Sequence, residues 1–154
     1  MNQSAAVAPH AKGDIRLGHL RELLGYSLRR AHVRAFNDFA ATMGPFKLSP
    51  GQLGLLLLVE ANPGANQSAL ARAIGLDRST LVSLIDTLEA RGLLSRRPSK
   101  DDRRSHAIVL EPEGERFLEE ITPALRAHED RIAAGLTDAE RDTLRRLLNR
   151  LDGR

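Results

Sequence analysis

The residues of this chain best placed for chemistry do not form a catalytic group. The stretch Asp77-Arg78-Ser79-Thr80, continued by Val82 and Ser83, sets short polar side chains beside an apolar spacing, Leu81, Leu84, Ile85 and Leu88. That spacing predicts a helix with one buried face, so Arg78, Ser79, Thr80, Val82 and Ser83 fall on the other. Hydroxyls near a helix N-terminus can bond bases or phosphates, and the positive end of the helix dipole favours a backbone anion. An apolar group such as Val82 can touch a thymine methyl. The same run also suits the first turn of an ordinary capped surface helix.

A second group follows at once. Arg96, Arg97, Lys100, Arg103 and Arg104 are opposed only by Asp101 and Asp102. A protruding loop with that excess of positive charge can lie along a phosphate backbone and insert an arginine in the minor groove. The plain alternative is a solvated charged turn. Catalytic signatures are missing: there is no phosphate-binding glycine loop, no Gly-x-Ser-x-Gly elbow, and His10, His19, His32, His106 and His128 are scattered. We therefore expect no enzyme, no metal and no cofactor.

The elements that must carry these groups follow from spacing and caps. Leu17, Leu20, Leu24, Leu28, Ala31, Ala35 and Phe39 predict one long first helix from Asp14, ended by Gly44-Pro45. Ser49-Pro50-Gly51-Gln52 is a capping box that opens a second helix, stopped by Asn62-Pro63-Gly64. Asn66 caps a third, Gln67 to Ile74; Gly75-Leu76 makes a tight turn; Asp77 caps a fourth, running to about Ala90 and closed at Arg91-Gly92. Leu93 to Arg97 and His106 to Leu110 predict a β-hairpin around the charged tip. Pro112 opens a fifth helix, which Pro123 should kink or break, and the capping box Thr137-Asp138-Ala139-Glu140 opens a last one bearing Leu144, Leu147, Leu148 and Leu151. Two short helices across a tight turn, followed by a basic hairpin, are the layout of a winged helix-turn-helix, whose second helix enters the major groove.

Composition agrees. The 154 residues are 42% hydrophobic and only 3% aromatic, so the core must be aliphatic and the chain mainly helical. With 23 basic and 20 acidic residues the net charge of +3 does not by itself indicate nucleic acid. The absence of cysteine removes disulfides and thiol chemistry. The longest apolar stretch, Leu53 to Val59, is too short for a bilayer, and the start of the chain lacks the build of a secretion signal. We expect residues 1–13 to be a disordered tail on a cytoplasmic protein with no membrane partner.

The chain resembles the MarR family of bacterial transcription regulators. The resemblance lies in Gln67-Ser68-Ala69-Leu70-Ala71, Asp77-Arg78-Ser79-Thr80 and Leu88-Glu89-Ala90-Arg91-Gly92-Leu93-Leu94, and most of all in Asp102-Arg103-Arg104 followed by Ile108-Val109-Leu110 and Gly114. It spans roughly Leu20 to Leu151 and implies a mainly α fold with a small β-hairpin wing. The winged helix-turn-helix would occupy about 47–111, within one domain of 14–154. Helices at about 14–43 and 112–152 would then join two copies into a homodimer. The DNA-binding set it implies is Gln67, Ser68, Arg78, Ser79, Thr80, Val82, Ser83, Arg97, Lys100, Asp102, Arg103 and Arg104, with Asp102 bracing Arg104 in the minor groove.

The resemblance further implies a small-molecule effector held between the dimer helices and the DNA-reading lobe. Tyr26, Arg29, Arg30, His32, Arg34 and Phe36 would bind it, with Leu55, Leu58 and Phe117 lining the same cleft. The segment Leu24 to Ala31 looks like the subgroup that answers to hydroxycinnamate-type acids or their coenzyme A thioesters, and its arginines can meet a carboxylate or CoA phosphates as bidentate donors. The same arginines also fit a solvated helix face or contacts to DNA phosphates. Two departures stand out: Ser83 and Thr87 sit where the family often has basic residues, and Glu111 replaces the usual threonine that caps the fifth helix. The expected function is a repressor released from a palindromic operator by an aromatic acid or its CoA thioester. The alternative is an architectural DNA-binding protein that senses nothing.

Overall fold

The computed structural model describes residues 15–98 and 106–153. The expected tail at 1–13 and the hairpin tip with Lys100, Asp102, Arg103 and Arg104 lie outside them. The chain divides into two units, Met1–Arg34 and Ala35–Arg154.

In the first unit the expected single helix from Asp14 is not continuous. A short 3-10 helix, Gly18–Glu22, precedes Leu23, whose extended backbone (φ −82°, ψ 119°) interrupts the helical path before α1 begins at Leu24. The stripe Leu20, Leu24 and Leu28 is exposed, as are Ile15, Leu23 and Val33.

In the second unit the element order matches the punctuation of the sequence. Helix α1 (Leu24–Met43), whose residues from Ala35 onward belong to this unit, ends at the Gly44–Phe46 3-10 turn, and α2 spans Pro50–Ala61. Then come α3 (Gln67–Ile74), α4 (Arg78–Ala90), β1 (Leu94–Pro98), β2 (His106–Leu110), α5 (Pro112–Ile132) and α6 (Asp138–Leu151). Both capping boxes form: Ser49 with Gln52, and Thr137 with Glu140. The strands pair antiparallel with Leu94 opposite Leu110 and Pro98 opposite His106. Strand β2 is extended on its other side by the loop before α3, where Ile108 N–H donates to Ala65 O and Gly64 N–H to Ile108 O.

The core is aliphatic, as composition requires. Met43, Leu55, Leu56, Leu70, Leu81, Ile85, Leu88, Leu94, Ile108 and Ile121 are all almost fully buried. Pro123 does not break α5, which runs unbroken through it. Thr122 Oγ donates to Leu118 O at 2.7 Å, and Glu119, whose carbonyl loses its helical donor to proline, is exposed to solvent.

Two junctions fix the helices of this unit. At the first, Leu93 O accepts the Glu111 N–H (3.1 Å), and a Cβ built on Gly114 would stand 1.9 Å from the same oxygen. Only glycine lets the first turn of α5 approach the start of the wing so closely. At the second, Asp38 of α1 accepts Arg131 Nε at 2.8 Å and pairs with His128 Nδ1 at 2.6 Å, both on α5. His128 is buried and meets Phe39 edge-to-face. The bonds from Arg131 and then His128 hold the Asp38 carboxyl well below the usual carboxylate range.

Gly114→Ala is therefore expected to destabilise the fold by at least the roughly 1–3 kcal/mol typical of an overpacked site, read as a lowered midpoint in denaturant. A variant as stable as the parent would show that the junction can open freely. For Asp38 the folded-state pKa lies below the unfolded one. Its contribution to stability is thus complete well above the unfolded value of about 3.9 and is lost progressively as pH falls from there toward the depressed folded value. Asp38→Asn should melt lower than the parent at neutral pH, with the gap closing below about pH 4. A gap that is constant with pH would rule out the charged pair as its cause.

Candidate nucleic-acid interface

Helices α3 and α4 are separated by Gly75, Leu76 and Asp77 alone. Gly75 adopts the left-handed conformation (φ 73°), which lets the chain reverse after α3 while its N–H still bonds Ala71 O. Leu81, Ile85 and Leu88 seat α4 on the core. Arg78, Ser79, Thr80 and Ser83 are exposed as expected, Val82 is half-buried, and of the α3 pair Ser68 is exposed and Gln67 half-buried. The structure thus gathers the helix-borne residues of the expected set on one helix-turn-helix.

The N-cap does more than cap. Asp77 accepts the Thr80 N–H (2.9 Å), Ser79 Oγ (2.5 Å) and Thr80 Oγ1 (2.6 Å). These bonds, the Ser79 and Thr80 hydroxyls first, hold its carboxyl far below the ordinary range, so it is ionised at the surface of the helix. At the other end of α4, the Arg91 guanidinium donates to Phe46 O and Lys47 O, both at 3.1 Å, and lies 4.9 Å from the Phe117 ring centre.

The wing's basic residues are not all available to an anion. Arg96 turns onto α4, where it pairs with Asp86 at 2.5 Å and with Glu89, while Glu89 also accepts the Arg96 N–H at 3.1 Å. Arg97 pairs with Glu111 at 3.1 Å and remains exposed. Glu111 makes no side-chain cap for α5; its carboxylate instead accepts Ser95 Oγ and Arg97, which lowers its pKa in that order. The residue that departs from the family's capping threonine is thus used to fasten the wing. Asp86, Glu89 and Glu111 were invisible as functional partners in sequence, although the i, i+3 spacing of Asp86 and Glu89 on an exposed face was a usable signal.

The expected effector residues fall in both units. Within the first, Tyr26, Arg30 and Arg34 recur every four residues on α1 and share a face, while Arg29 and His32 share another. Tyr26 is half-buried and the other four are exposed. In the second unit Phe36 is exposed, Leu55 is fully buried in the core, and Leu58 and Phe117 are half-buried. A cleft of about 320 Å³ between α2, β2 and α5 contains none of these residues. Glu60, Glu115 and Glu119 rim it, a charge that repels an acid ligand. Among the described residues no cluster of three or more histidine or carboxylate side chains could hold a metal ion.

Comparison with known proteins gives the context for this geometry. The model of the MarR family matches residues 48–106. A protein of Thauera aromatica, named for regulating its hcr operon, is 40% identical over 135 residues, which is 87% of this chain and 81% of that protein. The transcriptional repressor CouR bound to a 23-mer DNA duplex superposes with a TM-score of 0.86 at 40% identity, over 91% of this chain and 99% of the other. CouR bound to p-coumaroyl-CoA gives 0.79 at 38%, over 90% and 98%. By this family match and these similarities, the chain belongs to the MarR family of DNA-binding transcriptional regulators, which are not enzymes.

Proposed function

We propose that the protein is a transcriptional repressor that binds a palindromic operator as a homodimer and is released by an aromatic acid, chiefly as its CoA thioester. The observation that carries this reading is the similarity, over nine-tenths of the chain, to a repressor solved both on a DNA duplex and with p-coumaroyl-CoA. Helix α4 enters the major groove, α3 supports it through Gln67 and Ser68, and the wing reaches the minor groove with Arg104, braced by Asp102. Lys100, Arg103 and Arg97 follow the phosphates. The protein works in the cytoplasm, where its DNA lies, and no helix among the described residues is long and apolar enough to cross a membrane.

The exposed leucines support a second copy. Leu144, Leu147, Leu148 and Leu151 of α6 form one exposed apolar stripe, and Leu24 and Leu28 on α1, with Leu20 before it, are exposed in the first unit. A twofold dimer sets its two recognition helices about 34 Å apart, one duplex turn. The effector contacts are Tyr26, Arg29, Arg30, His32, Arg34 and Phe36. The Tyr26, Arg30 and Arg34 face offers an aromatic ring beside two guanidiniums, which suits an aryl group and the phosphates of CoA. A ligand that prefers another spacing of the recognition helices lowers DNA affinity, and DNA lowers ligand affinity by the same factor.

The test is displacement. A labelled duplex enriched from a random library by the full chain is titrated with p-coumarate, ferulate, benzoate and their CoA thioesters. Thioesters should release it, and Arg30→Ala or Arg34→Ala should weaken the thioester far more than the free acid. If none of them displaces the protein at millimolar concentration, the architectural alternative stands.

For the wing, Arg104→Ala should reduce DNA affinity by about 1–3 kcal/mol per half-site and flatten the dependence on salt. Unchanged affinity and slope would remove Arg104 from the interface.

A further inference from the structure

The exposed face of α4 carries four hydroxyls, and the single proton of each is already committed inside the protein. Ser79 Oγ donates to Asp77 Oδ1 at 2.5 Å and Thr80 Oγ1 to Asp77 Oδ2 at 2.6 Å. One turn on, Ser83 Oγ donates to Ser79 O at 3.2 Å, and Thr87 Oγ1 to Ser83 O at 2.8 Å. The direction of these bonds is set by chemistry: an ionised carboxylate and a backbone carbonyl can only accept. What each hydroxyl presents outward is therefore lone pairs.

DNA divides sharply against such a surface. Phosphate oxygens, guanine N7 and O6, and thymine O4 are all acceptors and gain nothing from it. In the major groove only adenine N6 and cytosine N4 carry amino protons. We propose that the hydroxyl face of α4 reads DNA as a row of acceptors. Ser79, Thr80 and Ser83 thereby select the amino groups of adenine and cytosine and disfavour guanine at the bases they face. This rests on the placement of α4 in the major groove given above.

The strength of the commitment is graded along the helix. The two bonds to Asp77 are charge-assisted, roughly twice as strong as neutral ones, so Ser79 and Thr80 keep their protons inward most firmly. Ser83 and Thr87 hold theirs by ordinary neutral bonds. Asp77 adds a negative charge that disfavours a phosphate at the same spot, and the exposed Arg78 beside it is left as the local donor. An arginine in place of Ser83 would reverse the preference, because a guanidinium is a bidentate donor to guanine.

The experiment uses the full chain and the duplex it enriches from a random library. Each base under α4 is replaced in turn by an analogue lacking one group: purine for adenine or 2-pyrimidinone for cytosine removes the amino group, and 7-deazapurines remove N7. Loss of an amino group should weaken binding about 3- to 10-fold at one or more positions, the scale of one hydrogen bond. That loss should shrink in Ser79→Ala or Ser83→Ala, while 7-deaza substitution leaves these hydroxyl variants and the parent alike. Asp77→Asn keeps an oxygen for the Thr80 N–H, but its amide nitrogen cannot accept, so one hydroxyl proton is freed and guanine should become tolerated at that base. Melting curves establish that each variant is folded. A hydroxyl-dependent loss on removal of N7, or an amino-group loss that persists in every hydroxyl variant, overturns the acceptor reading and leaves DNA binding intact. Failure to enrich any duplex overturns both.

Discussion

The carbonyl of Leu93 is the point on which the arrangement of the DNA-reading lobe turns. It lies where α4 has ended and β1 is about to begin, and it accepts the N–H of Glu111 just as β2 gives way to α5. The bare Cα of Gly114 lets the first turn of α5 close over it. One oxygen thus ties both ends of the wing and the root of α5 to the end of the recognition helix. Because buried interiors are close-packed, a change of volume at this junction is felt by every element that meets there.

From that junction outward, the wing is held by carboxylates. Asp86 and Glu89 take Arg96, which sets the approach of β1 to α4, while Glu111 takes Ser95 and Arg97 and so ties the same strand to the root of α5. Pairs that stay partly open to solvent contribute little to stability one at a time. Their effect is geometric: they fix the angle of a two-stranded ribbon that would be marginal alone. The same economy governs the nucleic-acid face, where Asp77 orders two hydroxyls and caps the helix with one carboxylate.

The far end of the recognition helix is fastened differently. Arg91 spans from the α4 C-terminus to the carbonyls of Phe46 and Lys47 and to the face of Phe117. Asp38, His128 and Arg131 then join α1 to α5. Within this unit the recognition helix is thus in polar contact with the turn that ends α1, and α1 is in polar contact with α5. These are discrete, directional links, the type of contact through which a bistable packing is biased.

Local chemistry was legible in the sequence because it acts over three or four residues. The capping boxes at Ser49 and Thr137, the caps Asn66 and Asp77, the left-handed Gly75 and the apolar spacing of α4 all satisfy donors or bury faces within one turn of themselves. The same local signals gave the order of the elements, and the family pattern added their expected roles. What the sequence hid is not set by spacing or caps. Leu23 breaks the stripe of the first helix with no proline or glycine at that position, although the apolar period continues through it. Pro123 passes inside α5, at a point where both it and Glu119, whose carbonyl it orphans, are exposed residues. The wing's positive charge looked uniform in sequence, yet tertiary pairing turned Arg96 inward and tied Arg97 to Glu111, since only the folded chain brings those carboxylates within reach. Residue types and periods are written in neighbours along the chain; the partner of a charge is chosen by neighbours in space.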